Sequence, residues 1–156
     1  MAYTTIDDPS VYFQTKIYTG NATDDTAYTN DGNSNLQPDL IWAKNRDQTV
    51  DHVWFDSTRG VTKNVRSSTN SQESTNSNYL KSFDSNGFTM GTSNRVNGNT
   101  DKMVAWQWKA NGGSRTTFTE SGDNPGGGYQ ANTTAGFSIV DYTGTGGAGT
   151  VSHGLG

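Results

Sequence analysis

The sequence contains no cysteine, only three prolines and only two glutamates. Without thiols, the chain forms no disulfide, no thiolate metal site and no cysteine nucleophile. Its longest unbroken apolar runs are four residues, Leu40–Ala43 and Met103–Trp106, whereas a membrane-spanning helix needs about 20. The opening residues lack the basic region and the apolar stretch of a signal peptide. We therefore expect synthesis in a cytoplasm and no membrane insertion.

Aliphatic and charged residues are also scarce. Leu, Ile, Val and Phe together make up 23 of the 156 residues, while 11 basic and 15 acidic residues give a net charge of −4. No basic cluster extends beyond Lys44–Arg46, so we expect no nucleic-acid binding. Four Trp and seven Tyr supply the bulk that the aliphatic residues lack. The composition predicts one folded domain with a thin aromatic core.

Turn-forming and polar residues dominate what remains, since Asn, Ser, Thr and Gly account for 73 of the 156 residues. No window shows a sustained apolar stripe of helical period, and short β-branched or aromatic runs alternate with turn residues. This pattern predicts an all-β fold, an antiparallel β-sandwich with long polar loops. The expected strands are Val11–Thr19, Asp39–Lys44, His52–Asp56, Tyr79–Phe83, Gly87–Gly91, Lys102–Lys109, Thr116–Thr119 and Gly136–Tyr142.

Two of these runs indicate how the core is built. Along Lys102–Lys109, strict alternation puts Trp106 and Trp108 on one face, and we expect these two rings to face the core. Along Asp39–Asn45 both faces carry bulk, which is typical of a central strand covered on both sides or of a strand at a subunit contact. The Asn-Gly pair between Phe83 and Phe88 predicts a β-hairpin over Tyr79–Met90, and the polar stretch Ser67–Ser77 predicts an exposed loop.

An internal repeat bears on the domain organisation. Phe13–Gly20 and Phe137–Gly144 share the frame Phe-x4-Tyr-Thr-Gly at an offset of 124 residues, which corresponds to modules of sandwich size. We therefore expect an N-terminal arm at residues 1–10 and a β-sandwich module at residues 11–133. Residues 134–156 then either start a second, incomplete repeat or close the first sandwich. The Gly- and Asn-rich stretch Ala110–Ala135 is the expected linker or long loop.

Five blocks, taken in order, carry a resemblance to a known family. They resemble a module found repeatedly in large virion proteins of marine phages, especially cyanophage-type podoviruses, which are often described as tail fibres. That module is similar to concanavalin A-like, or laminin-G-like, jelly-roll sandwiches. The blocks are Asp39–Arg46, His52–Gly60, Ser82–Gly91, Val104–Ala110 and Gly136–Gly144.

The resemblance implies a structural protein of the virion, in the N-terminal anchoring part of a tail fibre or related appendage used in host adsorption. It also implies that the natural chain continues past Gly156 into a further module. The implied partners are tail or portal-proximal virion proteins, further copies of the chain, often as a trimer, and host surface glycans through distal modules. Met1–Ser10 would add a strand to a neighbouring protein, with Tyr3, Ile6 and Val11 as its apolar partner-binding anchors.

Catalytic and metal-binding motifs are weak. Glu73 and Glu120 both lie in polar segments, whereas glycoside hydrolysis needs two facing carboxyl groups. Asp84 approximates a sialidase turn motif, but an ordinary hairpin turn explains it better. Asp24 and Asp25 could bind Ca²⁺ at a sandwich rim, although a solvated loop is the simpler interpretation. We expect no enzyme, cofactor or metal site.

Two alternatives to the appendage stay open. A capsid decoration protein would be abundant on the capsid lattice and would end near its domain boundary, and a glycan-binding sandwich would present Trp or Tyr faces flanked by Asn and Asp. Because the Trp residues lie within apolar strands, core packing is the favoured account of them.

Overall fold

The computed structural model describes residues 6–156, and almost all of the regular secondary structure in this part of the chain is β-strand. A 3₁₀ turn at Pro9–Val11 precedes the first strand, and one short helix, α1, spans Asn94–Asn97. The strands are β1 (Phe13–Thr19), β2 (Thr26–Thr29), β3 (Leu40–Asn45), β4 (Val53–Asp56), β5 (Lys63–Arg66), β6 (Ser74–Thr75), β7 (Leu80–Asp84), β8 (Gly87–Met90), β9 (Lys102–Trp108), β10 (Thr116–Phe118), β11 (Gly127–Asn132) and β12 (Phe137–Tyr142).

These strands form three antiparallel sheets. The largest has six strands in the order β1-β9-β3-β4-β5-β6, the second has the order β2-β8-β7, and the third has the order β10-β11-β12. The prediction of an all-β antiparallel sandwich is therefore confirmed. None of the helices within residues 6–156 has the length and apolar character needed to cross a bilayer.

The core lies between the six-stranded sheet and the β2-β8-β7 sheet. One face of the six-stranded sheet, called the inner face here, contributes fully buried aliphatic and aromatic side chains from its central strands. The second sheet covers them with its own apolar residues. The main contributors are Ile41, Ala43, Val53, Phe55, Met103 and Ala105 from the inner face and Leu80, Phe88 and Met90 from the second sheet.

The expectation that Trp106 and Trp108 face the core is wrong. Met103, Ala105 and Gln107 occupy the inner face of β9 and are fully buried, while both Trp rings lie on the opposite face and are half-buried. Alternation separates the two faces but does not say which one the second sheet covers. The polar Gln107 is tolerated inside because its amide exchanges hydrogen bonds of 3.0 and 2.7 Å with Asn30.

Several strand boundaries also differ from the sequence prediction. Val11 belongs to the 3₁₀ turn, which Asp8 caps by accepting from the Ser10 N–H at 2.9 Å, so β1 begins two residues later. The stretch Ala110–Ala135, expected as a linker or long loop, contains β10 and β11. Strands β2, β5, β6 and β11 were not predicted, because Thr, Asn, Lys and Gly dominate them and intrinsic propensity overlooks such strands.

The predicted hairpin is confirmed. Strands β7 and β8 pair through Asp84 and Gly87, which leaves Ser85 and Asn86 as the loop. Asp84 accepts hydrogen bonds from the hydroxyls of Ser82 and Thr89 at 2.5 and 2.8 Å, and it therefore stabilises the turn. Strand β3 is central, between β9 and β4, as its bulk on both faces indicated.

Candidate interaction surface

All four Trp residues of the chain lie on the face of the six-stranded sheet that points away from the core, called the outer face here. Trp42 lies directly opposite Trp54 on β4 and Trp106 on β9, and residues paired in this way share one face of a sheet. Trp108 follows two residues after Trp106 on the same strand. The outer face therefore carries a continuous aromatic surface, which we call the tryptophan face.

The rings of the tryptophan face are in mutual contact. The Trp42 ring centroid lies 4.9 Å from that of Trp106 and 5.6 Å from that of Trp54, and Phe13 lies 5.0 Å from Trp108. Offset contacts at these separations are favourable for aromatic pairs. The indole N–H groups of Trp42 and Trp54 have no hydrogen-bond partner among residues 6–156. The surface is thus large, rigid and half-buried.

The third sheet covers one end of the tryptophan face. Phe137, the first residue of β12, stacks on Trp108 at 6.2 Å with an interplanar angle of 21°. Between the two layers lies a groove of about 550 Å³. Its walls are Leu40, Trp42, Trp54, Asp56 and Trp108 on one side and Phe137, Ser138, Ile139 and Val140 on the other. The groove is therefore mostly apolar, with a carboxylate and a hydroxyl at its edges.

A buried carboxylate fixes the chain as it leaves β9 towards the third sheet. Asp39 is fully buried. It accepts hydrogen bonds from the backbone N–H groups of Ala110, Gly112 and Gly113 at 2.7, 2.9 and 3.0 Å and from the Ser57 hydroxyl at 2.6 Å. Four donors around one carboxylate satisfy it without a cation. Glycine suits positions 112 and 113 because their φ angles of +61° and +83° lie in the left-handed region, which other residues rarely adopt.

Gln130 joins the third sheet to this network. It is a fully buried residue of β11, and its amide oxygen accepts from the Gly113 N–H at 2.9 Å. Its amide nitrogen donates to the hydroxyls of Ser57 and Thr58 at 3.0 and 2.5 Å. One side chain therefore connects β11, the segment after β9 and the segment after β4. This connection holds the third sheet in place over the groove.

The residues predicted as partner-binding anchors do not form one patch. Ile6 is half-buried and lines a smaller groove of about 260 Å³ with Pro9, Phe13, Trp108 and Phe137. Val11 is half-buried in the 3₁₀ turn and does not line that groove. Tyr3 lies outside the described residues. The structure thus connects Ile6, but not Val11, to the Phe13 end of the tryptophan face.

The N-terminal turn has its own polar anchor. The carboxylate of Asp8 accepts from the hydroxyls of Ser10 and Ser34 at 2.6 and 2.7 Å. These hydrogen bonds, led by that of Ser10, hold the pKa of Asp8 below its ordinary value. The segment before β1 is therefore tied to the loop that carries Ser34.

Two of the acidic residues considered for catalysis or metal binding form ion pairs with basic side chains. Asp24 forms an ion pair with Lys81 at 2.9 Å, and Glu73 pairs with Arg59 at 3.1 Å and with Lys63 at 3.6 Å. Within residues 6–156, no three His, Asp or Glu side chains gather closely enough to hold a metal ion.

The tryptophan face was not predicted from the sequence, although three of the Trp residues stand in an alternating pattern that indicates it. In Ile41-Trp42-Ala43, Val53-Trp54-Phe55 and Ala105-Trp106-Gln107 each Trp stands between two residues that are fully buried. Three strands that each alternate in this way place their Trp residues on a common face once they pair. The pairing register was the information that the sequence did not supply.

Comparison with known proteins gives one match. A family model described as a domain of unknown function (DUF7483) matches residues 8–156, a span that includes the larger groove and the third sheet but not Ile6 of the smaller groove. No curated protein and no solved structure matches the chain.

Proposed function

The chain belongs to the DUF7483 family, and we propose that it is a structural module of a phage virion, in the virion-anchoring part of a tail fibre or a related appendage used in host adsorption. The proposal starts from the five sequence blocks that resemble modules of such proteins. These blocks correspond to β3, β4, the β7–β8 hairpin, β9 and β12. The resemblance therefore concerns the strands that build the sheets, and not loops that vary freely.

One observation carries the proposal. The two copies of the Phe-x4-Tyr-Thr-Gly repeat form β1 and β12, and each strand begins at its Phe. Phe13 and Phe137 both contact Trp108, with ring centroids 5.0 and 6.2 Å away. Both strands lie at the edge of their sheets. A closing edge strand that repeats the opening edge strand is compatible with tandem modules, in which one module ends as the next begins.

The physical character of the module supports a mechanical role. Its sheets are antiparallel throughout, and hydrogen-bonded polar side chains such as Asp39 and Gln130 connect the layers. We propose tail or portal-proximal virion proteins and further copies of the chain as its partners, with the virion as its location. Host glycans would be contacted by distal modules of the same appendage.

The test uses intact particles of the phage that encodes the chain. Mass spectrometry of purified particles should detect the chain, and antibodies raised against the folded 156-residue protein should label the tail region in electron micrographs. Label distributed over the capsid would instead indicate a capsid decoration protein. Particles without the chain would refute a virion role.

A second experiment tests the proposed N-terminal anchor. Replacing Ile6 and Val11 together by Asp should leave a folded module that no longer enters particles, because the anchor must bury apolar surface in its partner. Circular dichroism provides the control for folding. Normal incorporation of the folded double variant would remove the anchor from the proposal.

A glycan-binding module is the second candidate, and the position of the half-buried tryptophan face outside the core favours it. Trp42, Trp54 and Trp108 line the groove together with Asp56, and aromatic rings beside a few polar groups are typical of ligand sites. A glycan array should then show saturable binding that Trp54→Ala abolishes. Ile17→Ala, outside the groove on the same face, is the matched control and should bind normally. If no glycan bound, the glycan-binding function would be rejected and the structural role would be the one remaining proposal.

A further inference from the structure

Strand β1 is an edge strand whose hydrogen-bond register can be read from its two ends. The Lys109 N–H donates to the Tyr12 carbonyl at 2.9 Å, and the Gly20 N–H donates to the Asp101 carbonyl at 2.9 Å. Both bonds continue the ladder between β1 and β9, in which Phe13 lies opposite Trp108. Antiparallel ladders alternate strictly, so the even-numbered residues of β1 direct their backbone groups towards β9.

The odd-numbered residues of β1 therefore direct their backbone groups away from the sheet. Phe13, Thr15, Ile17 and Thr19 present four N–H donors and four carbonyl acceptors in one row, and no other group within residues 6–156 takes them up. The side chains of these residues are exposed on the outer face, Ile17 to 64% and Phe13 to 39%. The edge is seven residues long and shows no register shift.

This edge has few of the features with which proteins usually protect an open sheet, since Lys16 is its single charged residue. Exposed edges are ordinarily short, bulged, covered or marked by charges or proline. Strand β6 has two residues, and β7 has a register shift between Leu80 and Ser82 and the charged Lys81. On β12, the outward-directed residues Ser138 and Val140 line the groove. Within the described chain, only β1 presents an edge of seven residues without a register shift, and its single charged residue, Lys16, forms an ion pair with Asp31 of its own copy.

We propose that the free edge of β1 pairs antiparallel with β1 of a second copy of this chain. The register centred on Lys16 uses all four outward-directed residues of each strand. It places Phe13 opposite Thr19 of the second copy and Thr15 opposite its Ile17. Every pair then joins a large apolar side chain to a Thr, which is a favourable cross-strand combination. Eight backbone hydrogen bonds connect the two sheets, and no pair in the row brings like charges together.

The charges next to this row are also compatible with a second copy. In the proposed register Lys16 lies opposite Lys16 of the other copy, on the inner face, where two like charges would repel. However, the Lys16 ammonium forms an ion pair with Asp31 at 3.1 Å, and its side chain is only 17% exposed. Each copy therefore carries its own counter-charge. The row of β1 therefore pairs with a second copy without placing two large side chains or two uncompensated charges opposite each other, and this is the ground for a second copy as the occupant, independently of any role in a virion.

Analytical ultracentrifugation of the 156-residue protein from about 1 to about 200 µM tests the pairing. We expect a reversible dimer. Thr15→Pro should give a monomer with an unchanged circular dichroism spectrum, because the Thr15 N–H takes no part in the molecule's own sheet. The matched control is Ser138→Pro, which changes an outward-directed residue of β12 and should remain dimeric.

Two further variants keep the proposal decidable if Thr15→Pro disturbs folding. Ile17→Lys introduces one positive charge in each copy, and in the proposed register these two charges lie diagonally opposite each other. Their repulsion should raise the dimer dissociation constant at least about tenfold. Asp31→Asn should weaken the dimer less, and salt should restore it, because it only exposes the Lys16 charge. Hydrogen exchange of the Thr15 and Ile17 amides should be slow in the dimer and fast in Ile17→Lys. A monomer at 200 µM, a trimer, or a dimer that tolerates Ile17→Lys would each overturn the proposal.

Discussion

The two faces of the six-stranded sheet are built from the same strands and differ in what covers them. The inner face carries residues of moderate size, such as Ile41, Ala43 and Ala105, and a complete second sheet buries them fully. The outer face carries the four Trp residues, and the third sheet covers only one end of it. The larger apolar side chains therefore lie on the less covered face. Size and hydrophobicity alone do not identify a core, since the inner layer buries Phe55 as completely as it buries Ala43 while the larger Trp rings lie outside it.

Polar groups show the same contrast. On the inner side, the buried amides of Gln107 and Asn30 bond to each other at 2.7 and 3.0 Å. On the outer side, the indole N–H groups of Trp42 and Trp54 lack partners among residues 6–156. A closed core satisfies its polar groups internally, whereas the outer layer keeps two buried indole N–H groups without a partner among residues 6–156.

The largest expected effect compares two neighbours on β4 that point to opposite faces. Phe55→Ala should lower the free energy of unfolding by about 3–5 kcal/mol, because it opens a cavity at a fully buried position. Trp54→Ala removes a larger but half-buried ring and should cost only about 1–2 kcal/mol. Urea unfolding followed by far-UV circular dichroism measures both. An equal or larger cost for Trp54→Ala would place the true core on the outer face.

Separating the third sheet from the outer face should have an intermediate effect. Gln130→Ala removes the hydrogen bonds to Gly113, Ser57 and Thr58 and should cost about 1–3 kcal/mol. Hydrogen exchange should accelerate in β10, β11 and β12 while the core strand β8 keeps its protection. Uniform acceleration in all sheets would show that the three layers unfold as one unit.

A smaller effect on stability, which depends on pH, is expected at Tyr18 on the inner face. Burial, and secondarily the nearby Tyr28, raise the pKa of Tyr18 well above its ordinary value of 10.0. The folded state thus holds this proton more tightly than the unfolded state, so its stabilising contribution is complete below pH 10 and is lost as the pH rises towards the folded pKa. In Tyr18→Phe, the loss of stability above pH 10 should be smaller. Chemical unfolding at a series of alkaline pH values measures it.

The smallest effect is expected at the surface of the third sheet. Arg115 donates two hydrogen bonds to the Asp141 carboxylate at 2.8 and 2.6 Å. Hydrogen bonding to Asp141, and secondarily the charge of that carboxylate, raise the pKa of Arg115. Exposed ion pairs contribute little. Arg115→Ala should therefore leave the thermal midpoint unchanged, and a clear decrease would show that the pair fixes the third sheet as firmly as Gln130 does.

The fold class and the alternating strands could be read from the sequence because they depend on local pattern. The β7–β8 hairpin followed from turn chemistry, and β9 followed from strict alternation over Lys102–Trp108. Local pattern could not predict on which face of the sheet Trp106 lies, and it could not predict that β11 exists. Both depend on partners that are distant in the chain, namely the second sheet beneath β9 and the pairing of Gly127 with Tyr142.

The candidate surfaces were predictable only in part. The sequence drew attention to Ile6 and to the Phe13 and Phe137 repeat, and these residues meet at Trp108. It did not reveal the groove or the buried pair of Asp39 and Gln130, because 91 residues separate their positions in the chain and neither belongs to a recognisable motif. Long-range polar contacts of this kind depend on the packing of whole layers.

The position of all four Trp residues on one face has a spectroscopic consequence. The fluorescence of the protein comes mainly from the outer layer, whereas Tyr18, Tyr79 and Phe88 in the core contribute little emission. A shift in tryptophan emission therefore reports events at the outer face, such as departure of the third sheet or arrival of a partner. It can occur while the tyrosine signals of the interior stay constant, so the two chromophores act as separate probes of the two layers.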